Sequence, residues 1–302
     1  MRFRTNTQFF LRFVNLLLND ATYVLDEALS KFPKIHNLQI ELSQQRDPPL
    51  TQEERTAKEE ELATAEGQAQ SYMQLTNETV SMMKLFTGNL SASFTMPEIV
   101  DRVAAMVDYT LDTIVGPKSA NLRVENAKKY QFDPKLLLSE FVDIYLNLSV
   151  SESFIEAVAR DGRSYKPSNF DAATRILTRH ALKSSEEIAR WETLKNRFKI
   201  AKEVDDQDEE DLGDAPDEYL DPIMASLMHD PVTLPTSKVT VDRSTIMSHL
   251  LSDPLDPFNR QPLKIEEVIP NVELKAEIAK WRDEKRAAAK AGRLSAMDTS
   301  QG

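Results

Sequence analysis

The chain is 302 residues long and 41% apolar, with a formal charge of −12 and an isoelectric point near 5.0. That is enough apolar material for a sizeable core, while the acidic balance tells against nucleic acid, whose phosphates demand a basic footprint. With no cysteine, a disulfide framework, a cysteine-based zinc site and a catalytic thiolate are all excluded.

The four histidines, His36, His180, His229 and His249, are scattered, so neither a metal cluster nor another cofactor is expected. No apolar run approaches the roughly 18 to 20 residues that span a bilayer. The opening Met1-Arg2-Phe3-Arg4-Thr5-Asn6 lacks the h-region and cleavage site of a signal peptide. No membrane partner is expected, and the plain location is cytoplasmic and nuclear. Helical periodicity fills most of the length, and strand signals are confined to the C-terminal quarter. The expected fold class is mainly α: a helical-repeat, α-solenoid-like body followed by a small α+β domain.

In chain order, residues 7–32 carry Phe10, Phe13, Leu17, Val24 and Ala28 at helical spacing, with Leu16, Leu18 and Leu25 beside them. So wide an apolar face must be covered. Because this pattern begins almost at Met1, we expect a C-terminal part of a longer helical protein; a tightly packed true terminus is the other reading. Asp47-Pro48-Pro49 is a breaker. Thr51 and Glu54 form a capping box for a long helix through Leu62, Ala69, Tyr72, Met73 and Phe86. The first half of that helix is polar all round and is expected to project into solvent, with no seam lasting three heptads.

Thr95-Met96-Pro97-Glu98 predicts a further helix start, followed by Val100, Val103, Val107, Leu111 and Ile114 and a stop at Gly116-Pro117. Asp133-Pro134 starts the next helix, with Leu137, Phe141, Ile144, Tyr145 and Leu148 inward. Ser151 opens a short one with Phe154 and Val158, and Phe170, Ala173 and Leu177 mark another. Ser184 and Glu187 cap a last helix facing inward with Ile188, Trp191, Leu194, Phe198 and Ala201. Residues 1–202 thus form a body of about seven helices. Residues 203–221 hold eleven acids and no base. We read 203–215 as an acidic linker, either a flexible tether or a dock for a basic surface. Residues 292–302 are small and polar and are expected to be a disordered tail.

Residues 216–291 are the most informative stretch. Asp221-Pro222-Ile223-Met224 and His229-Asp230-Pro231-Val232 make a first proline-pinned loop. Val239-Thr240-Val241 alternates as a short strand does, and Asp242 can cap a helix bearing Ile246 and Leu250. A second loop, Asp253-Pro254-Leu255-Asp256-Pro257-Phe258-Asn259-Arg260-Gln261-Pro262-Leu263, precedes a helix from Asn271 with Leu274, Ile278 and Trp281 on one face. The order loop, strand pair, short helix, loop, long helix closely resembles the U-box, the zinc-free relative of the RING domain in ubiquitin ligases. Its wording, with DPIM, then DPV, then DPFNR, looks like the chain-elongating (Ufd-type) ubiquitin conjugation factors.

That resemblance implies a scaffold that docks a ubiquitin-conjugating enzyme charged with ubiquitin and activates its thioester toward an already ubiquitinated substrate, in protein degradation. It also implies an AAA ATPase segregase as partner. Ile223, Met224, Ala225, Pro257, Asn259 and Pro262 fall at positions that meet the conjugating enzyme. Core packing for Ile223 and simple loop rigidity for Pro257 and Pro262 are the competing readings. Ala225 stands where the family often carries a larger residue, which would weaken docking. Arg260 matches the cation that bridges the enzyme and its ubiquitin, with a structural ion pair to Asp256 as the competing role. Ser237, Asp242, Arg243 and His249, with Asn259 as a further candidate, are expected to form the polar network that replaces metal. Leu234, Val241, Ile246, Leu250 and Leu263 form the small core beneath. A helical adaptor whose U-box only docks partners is the alternative function.

Overall fold

A computed structural model describes residues 2–44 and 49–299, with side chains described for all of these except 2–8, 118, 121, 251, 252 and 293–299. The described chain divides into two units, one spanning residues up to Met96 and Val100–Lys199, the other the described residues from Ile200 onward with Pro97–Ile99. Seven α-helices precede the U-box-like stretch: α1 (Arg2–Ser43), α2 (Gln52–Phe94), α3 (Val100–Val115), α4 (Pro134–Leu148), α5 (Glu152–Arg160), α6 (Pro167–Arg179) and α7 (Ser185–Leu212).

In the first unit α1 packs along α2, α4 covers α2, and α3 packs against α5 and α6. Among the buried positions of α1, Leu11, Val14, Leu18, Ala21, Leu25, Ala28, Phe32 and Ile35 are separated alternately by three and four residues, with Asn15, Leu17, Leu29 and Leu38 buried beside them. The expected face is thus largely covered, with Leu17, Leu18, Leu25 and Ala28 buried; Leu16 is exposed, and Phe13 is partly exposed with its ring edge-on to Phe86 at 5.7 Å. The partner seam on α2 is Ala65, Ala69, Met73, Thr76, Val80, Met83 and Thr87. Small Ala and Thr residues in it admit a close helix while concealing the seam from an apolar count. The polar first half of α2 therefore does not project freely. Lys58 pairs with Glu41, and Lys34 with Glu61 at 2.8 Å.

Two expected capping boxes form and one does not, and Ser151, expected to cap α5, stands at its N-terminus without a side-chain cap bond. The Thr51 hydroxyl accepts from Glu54 N while Glu54 accepts from Thr51 N, and Ser184 and Glu187 repeat the arrangement. Thr95, expected to open α3, ends α2 instead, its hydroxyl donating back to Ser91 O at 3.2 Å. Having been used by the preceding helix it cannot cap the following one, which begins at Val100. Of the Asp47-Pro48-Pro49 breaker, only Pro49 lies within the described residues.

The body core is aromatic. Tyr145 meets Phe154, Phe170, Trp191 and Phe198 at ring separations of 5.6 to 6.1 Å, and Phe170 stacks on Trp191. Such rings bury large apolar areas and prefer offset or edge-on contact. Asp108 of α3 is sunk here at 1% exposure; its Oδ1 accepts the Tyr145 hydroxyl at 2.5 Å and its Oδ2 lacks a partner.

In the second unit the acidic run is not a coil, as a flexible tether would be. Residues 203–212 continue α7, supported by Lys202 pairing with Asp206 at 2.8 Å and Gln207 bonding Asp211 at 3.0 Å. Asp208 also pairs with Arg286 at 2.7 Å, so the run's negative charge is partly matched. Beyond it, β1 (Pro231–Thr233), β2 (Thr240–Asp242) and β3 (Ile269–Pro270) form an antiparallel sheet in the order β2-β1-β3. Val232 faces Val241, and Thr233 faces Ile269. The third strand was not foreseen, because an Ile-Pro pair donates too little to register as a strand.

Helix α8 (Arg243–Ser252) starts at the Asp242 cap, and α9 (Val272–Thr299) at Asn271, whose Oδ1 accepts from Leu274 N at 3.1 Å. Val232, Leu234, Val241, Ile246, Leu263 and Val268 make the small core, with Leu250 partly buried against it. Residues 292–299, expected to lack structure, prolong α9: the alanine-rich stretch before them propagates helix, and one glycine is too small a penalty to stop it. Residues 300–302 of that expected tail lie outside the described residues.

Burial pushes the Asp108 carboxyl well above its ordinary range; the Tyr145 hydroxyl opposes this and the nearby Asp161 charge adds to it. A carboxyl raised in the folded state takes up a proton on folding. The stability it contributes is therefore full below the unfolded value of about 3.9 and is lost as pH rises toward the folded value. Asp108→Asn, of equal shape and uncharged, should raise the melting temperature of the body by a few degrees at pH 8 to 9 and give no gain near pH 4. Fluorescence in a Trp281→Phe background, where Trp191 is the remaining indole, reads the body alone.

Candidate functional site

Two hexapeptides carry the loops of the second unit, and they fold alike. Asp221-Pro222-Ile223-Met224-Ala225-Ser226 and Asp256-Pro257-Phe258-Asn259-Arg260-Gln261 each begin with a fully buried aspartate. In the first, Asp221 Oδ1 accepts from Ile223 N at 2.7 Å and Met224 N at 3.0 Å. Ala225 N donates to Asp221 O, and Asp221 N to Ser226 O, both at 2.7 Å. In the second, Asp256 Oδ1 accepts from Phe258 N at 2.9 Å, Arg260 N donates to Asp256 O and Asp256 N to Gln261 O, both at 2.8 Å. Antiparallel bridges, Leu220 to Leu227 and Leu255 to Pro262, close the two loops at equivalent positions.

The fifth residue of each loop must turn left-handed, and Ala225 and Arg260 do so at φ 55° and 62°. Such a backbone is unfavourable for a residue bearing a Cβ and persists only where its surroundings fix it. Ala225 is exposed, and its backbone conformation is set by the turn.

The remaining carboxylate oxygens tie the loops to the sheet. Asp221 Oδ2 accepts from Asp242 N at 2.6 Å. Asp242 Oδ2 accepts from His229 N at 2.7 Å and Asp230 N at 2.9 Å, and its Oδ1 takes both the N–H and the hydroxyl of Ser244. Asp256 Oδ2 accepts from the Thr236 hydroxyl at 2.7 Å and Ser237 N at 3.2 Å. Arg243 Nε donates to Asp230 Oδ2 at 2.6 Å, and Lys275 Nζ to Asp230 Oδ1 at 2.7 Å. His249 Nε2 lies 2.9 Å from Leu255 O, bracing the end of α8 against the second loop.

The expected polar residues Ser237, Asp242, Arg243 and His249 are thus all engaged, Ser237 through its main chain. Asn259 is not part of the network: it is exposed and accepts only from Gln261 N, within its own loop. The two central groups, Asp221 and Asp256, were missed. Asp221 was counted with the acidic run and Asp256 was set aside as a possible partner for Arg260. The repeated Asp-Pro, each followed three residues later by a left-handed turn, was the signal available.

The side chains between these anchors face outward. Ile223 is 43% exposed, Met224 64% and Phe258 43%, so the core reading of Ile223 fails. Pro262 is exposed and Pro257 half-buried. Phe258, not singled out from the sequence, is a further exposed apolar side chain of the second loop. Arg260 is exposed and pairs with Asp253, Nη1 to Oδ2 at 2.9 Å. The pair with Asp256 weighed as the competing reading does not form, because both oxygens of that buried carboxylate already accept from Thr236, Ser237 and Phe258.

Opposing effects set the carboxyl groups. Burial raises Asp256, but the Thr236 hydroxyl and the Phe258 and Ser237 N–H groups outweigh it and hold the group below its ordinary range. Asp242 is likewise lowered against its burial by the N–H groups of Asp230, Ser244 and His229 and the Ser244 hydroxyl. Lys275 and Arg243 lower Asp230. Groups lowered in the folded state stabilise it above their unfolded value and lose this effect as pH falls through the folded one. The second unit should therefore unfold below about pH 4. At neutral pH, Asp256→Ala leaves three donors unmatched, an effect of roughly 1.5–3 kcal/mol or more. Hydrogen exchange at Val232 and Val241 should accelerate at least tenfold while exchange at Phe141, in the body, is unchanged.

Comparison with known proteins agrees with both halves of this picture. The ubiquitin elongating factor core model matches residues 2–199 and the U-box domain model residues 215–287. Ubiquitin conjugation factor E4 of Schizosaccharomyces pombe is 49% identical over 283 residues, covering 94% of this chain and 28% of that protein. E4 ubiquitin-protein ligase UFD2 of Saccharomyces cerevisiae is 42% identical over 290 residues, covering 95% and 30%. Ubiquitin conjugation factor E4 A of Bos taurus is 42% identical over 281 residues, covering 93% and 26%. The chain spans less than a third of the length of these relatives. With its core and following domain both matched, it belongs to the ubiquitin elongating factor family that joins a helical core to a U-box.

Proposed function

We propose that this chain promotes ubiquitin transfer as a U-box ligase of the chain-elongating type. One observation carries the reading: two loops of like fold, each pinned by a buried aspartate, hold Ile223, Met224, Pro257, Phe258 and Pro262 on the surface beside the exposed Arg260. Apolar groups fixed in this way need little ordering when a partner arrives, which favours docking. The partner we assign to that surface is a ubiquitin-conjugating enzyme carrying ubiquitin as a thioester. The names borne by the relatives, ubiquitin conjugation factor E4 and E4 ubiquitin-protein ligase, support the assignment.

With no cysteine in the chain, transfer proceeds from the conjugating enzyme to the acceptor with no thioester on this chain. The role of Arg260 is to hold the charged enzyme and its ubiquitin in an attack-ready arrangement, for which a planar guanidinium with several fixed donors is suited. The helical body then positions an already ubiquitinated substrate, in the cytoplasm and nucleus, with an AAA ATPase segregase as the further partner and degradation as the outcome.

Single-turnover discharge from a panel of charged conjugating enzymes tests this. Ile223→Ala should weaken binding of the preferred enzyme by about 1–2 kcal/mol, roughly five- to thirtyfold in Kd. Arg260→Ala should lower discharge about ten- to a hundredfold, as expected for one charged hydrogen bond made in the reactive arrangement, and leave that binding nearly intact. Well-folded protein that accelerates discharge from no enzyme in the panel defeats the proposal, and binding without acceleration leaves only a docking module.

A further inference from the structure

Arg260 is presented by an anchored backbone and a held head group. Its main chain is fixed at φ 62° by its own N–H donating to the buried Asp256, which sets the direction in which the side chain leaves the loop. The guanidinium is 70% exposed, and Nη1 donates to Asp253 Oδ2 at 2.9 Å. Asp253 is itself well anchored. Its N–H donates to His249 O at 3.0 Å, closing α8, and the His249 ring meets Leu255 O two residues further on. Pro254, between these two anchors, has its φ fixed by its ring.

We propose that Asp253 is a positioning residue for Arg260, holding one edge of the guanidinium so that its other N–H donors face the docking surface as a set. This rests on the reading of Arg260 given above. A long side chain at an exposed site samples many rotamers, and a transition state that requires one of them proceeds in proportion to its population. Guanidinium has five N–H donors, so engaging one at Asp253 leaves others for two acceptors on the charged enzyme and its ubiquitin. An exposed ion pair contributes little to stability, so loss of Asp253 leaves the loop folded on its Asp256 anchor. The effect is then separable from unfolding. The opposite role, in which Asp253 sequesters Arg260 until a partner displaces it, has the opposite sign.

The test is a double-mutant cycle in the full chain, with discharge measured at saturating charged conjugating enzyme and Kd measured separately. Asp253→Asn should lower the discharge rate about three- to tenfold, the scale of releasing one ordered side chain, with Kd unchanged. Asp253→Glu should recover part of the loss. In the Arg260→Ala background, Asp253→Asn should have no further effect. Unchanged hydrogen exchange at Val241 shows that the unit remains folded. The proposal is overturned if Asp253→Asn matches or exceeds wild type, or if it lowers discharge equally in both backgrounds. Impaired discharge for Arg260→Ala with none for Asp253→Asn removes this proposal alone; full discharge for Arg260→Ala removes the reading of Arg260 and this proposal with it.

Discussion

The second unit depends on three carboxylates taken out of water and satisfied almost entirely by main-chain N–H groups. Asp221 orders the first loop and reaches β2; Asp242 accepts from the residues preceding β1 and caps α8; Asp256 orders the second loop and reaches the turn between β1 and β2. Charge-assisted bonds of this kind are stronger than neutral ones, and a carboxylate accepting several of them tolerates burial that would otherwise neutralise it. Because Asp221 bonds the main chain of Asp242, the cap of α8 and the shape of the first loop cannot be disturbed separately. A core of six small-to-medium apolar side chains would not by itself fix two loops in one conformation.

This arrangement explains how a surface of Ile223, Met224 and Phe258 is kept in water without collapsing inward. Each lies two or three residues beyond an aspartate that holds its N–H, so the loop backbone leaves the side chain no inward route. The same geometry obliges Ala225 and Arg260 to adopt left-handed backbone. At Arg260 the obligation has a functional side, because a backbone fixed by Asp256 presents the guanidinium from a defined point.

The body answers a different constraint. Its helices are joined by an aromatic cluster around Tyr145 and by an α1–α2 seam whose spacing alternates between three and four residues. Within that apolar interior Asp108 keeps one oxygen on a tyrosine hydroxyl and the other unmatched, a polar defect whose burial pushes the carboxyl above its ordinary range. The acidic end of α7 shows the converse case, where like charges remain helical because Lys202 and Arg286 offset some of them.

Much of this was legible in the residues. Seven body helices, the capping boxes at Thr51 and Ser184, the Asp242 cap, the small core and the family itself follow from local spacing and from motifs that stay in order along the chain. Local signals suffice there because a cap or an amphipathic face is made by residues within one or two turns of each other. What the tertiary structure alone decided are matters of long-range satisfaction: which apolar residues of α1 stay exposed, that Thr95 serves α2, that Asp221 anchors its loop to β2, and that Arg260 meets Asp253 because Asp256 is already taken. A carboxylate's partners come from wherever the fold delivers N–H groups, here up to 21 positions away in the chain, and no window of neighbouring residues contains that choice.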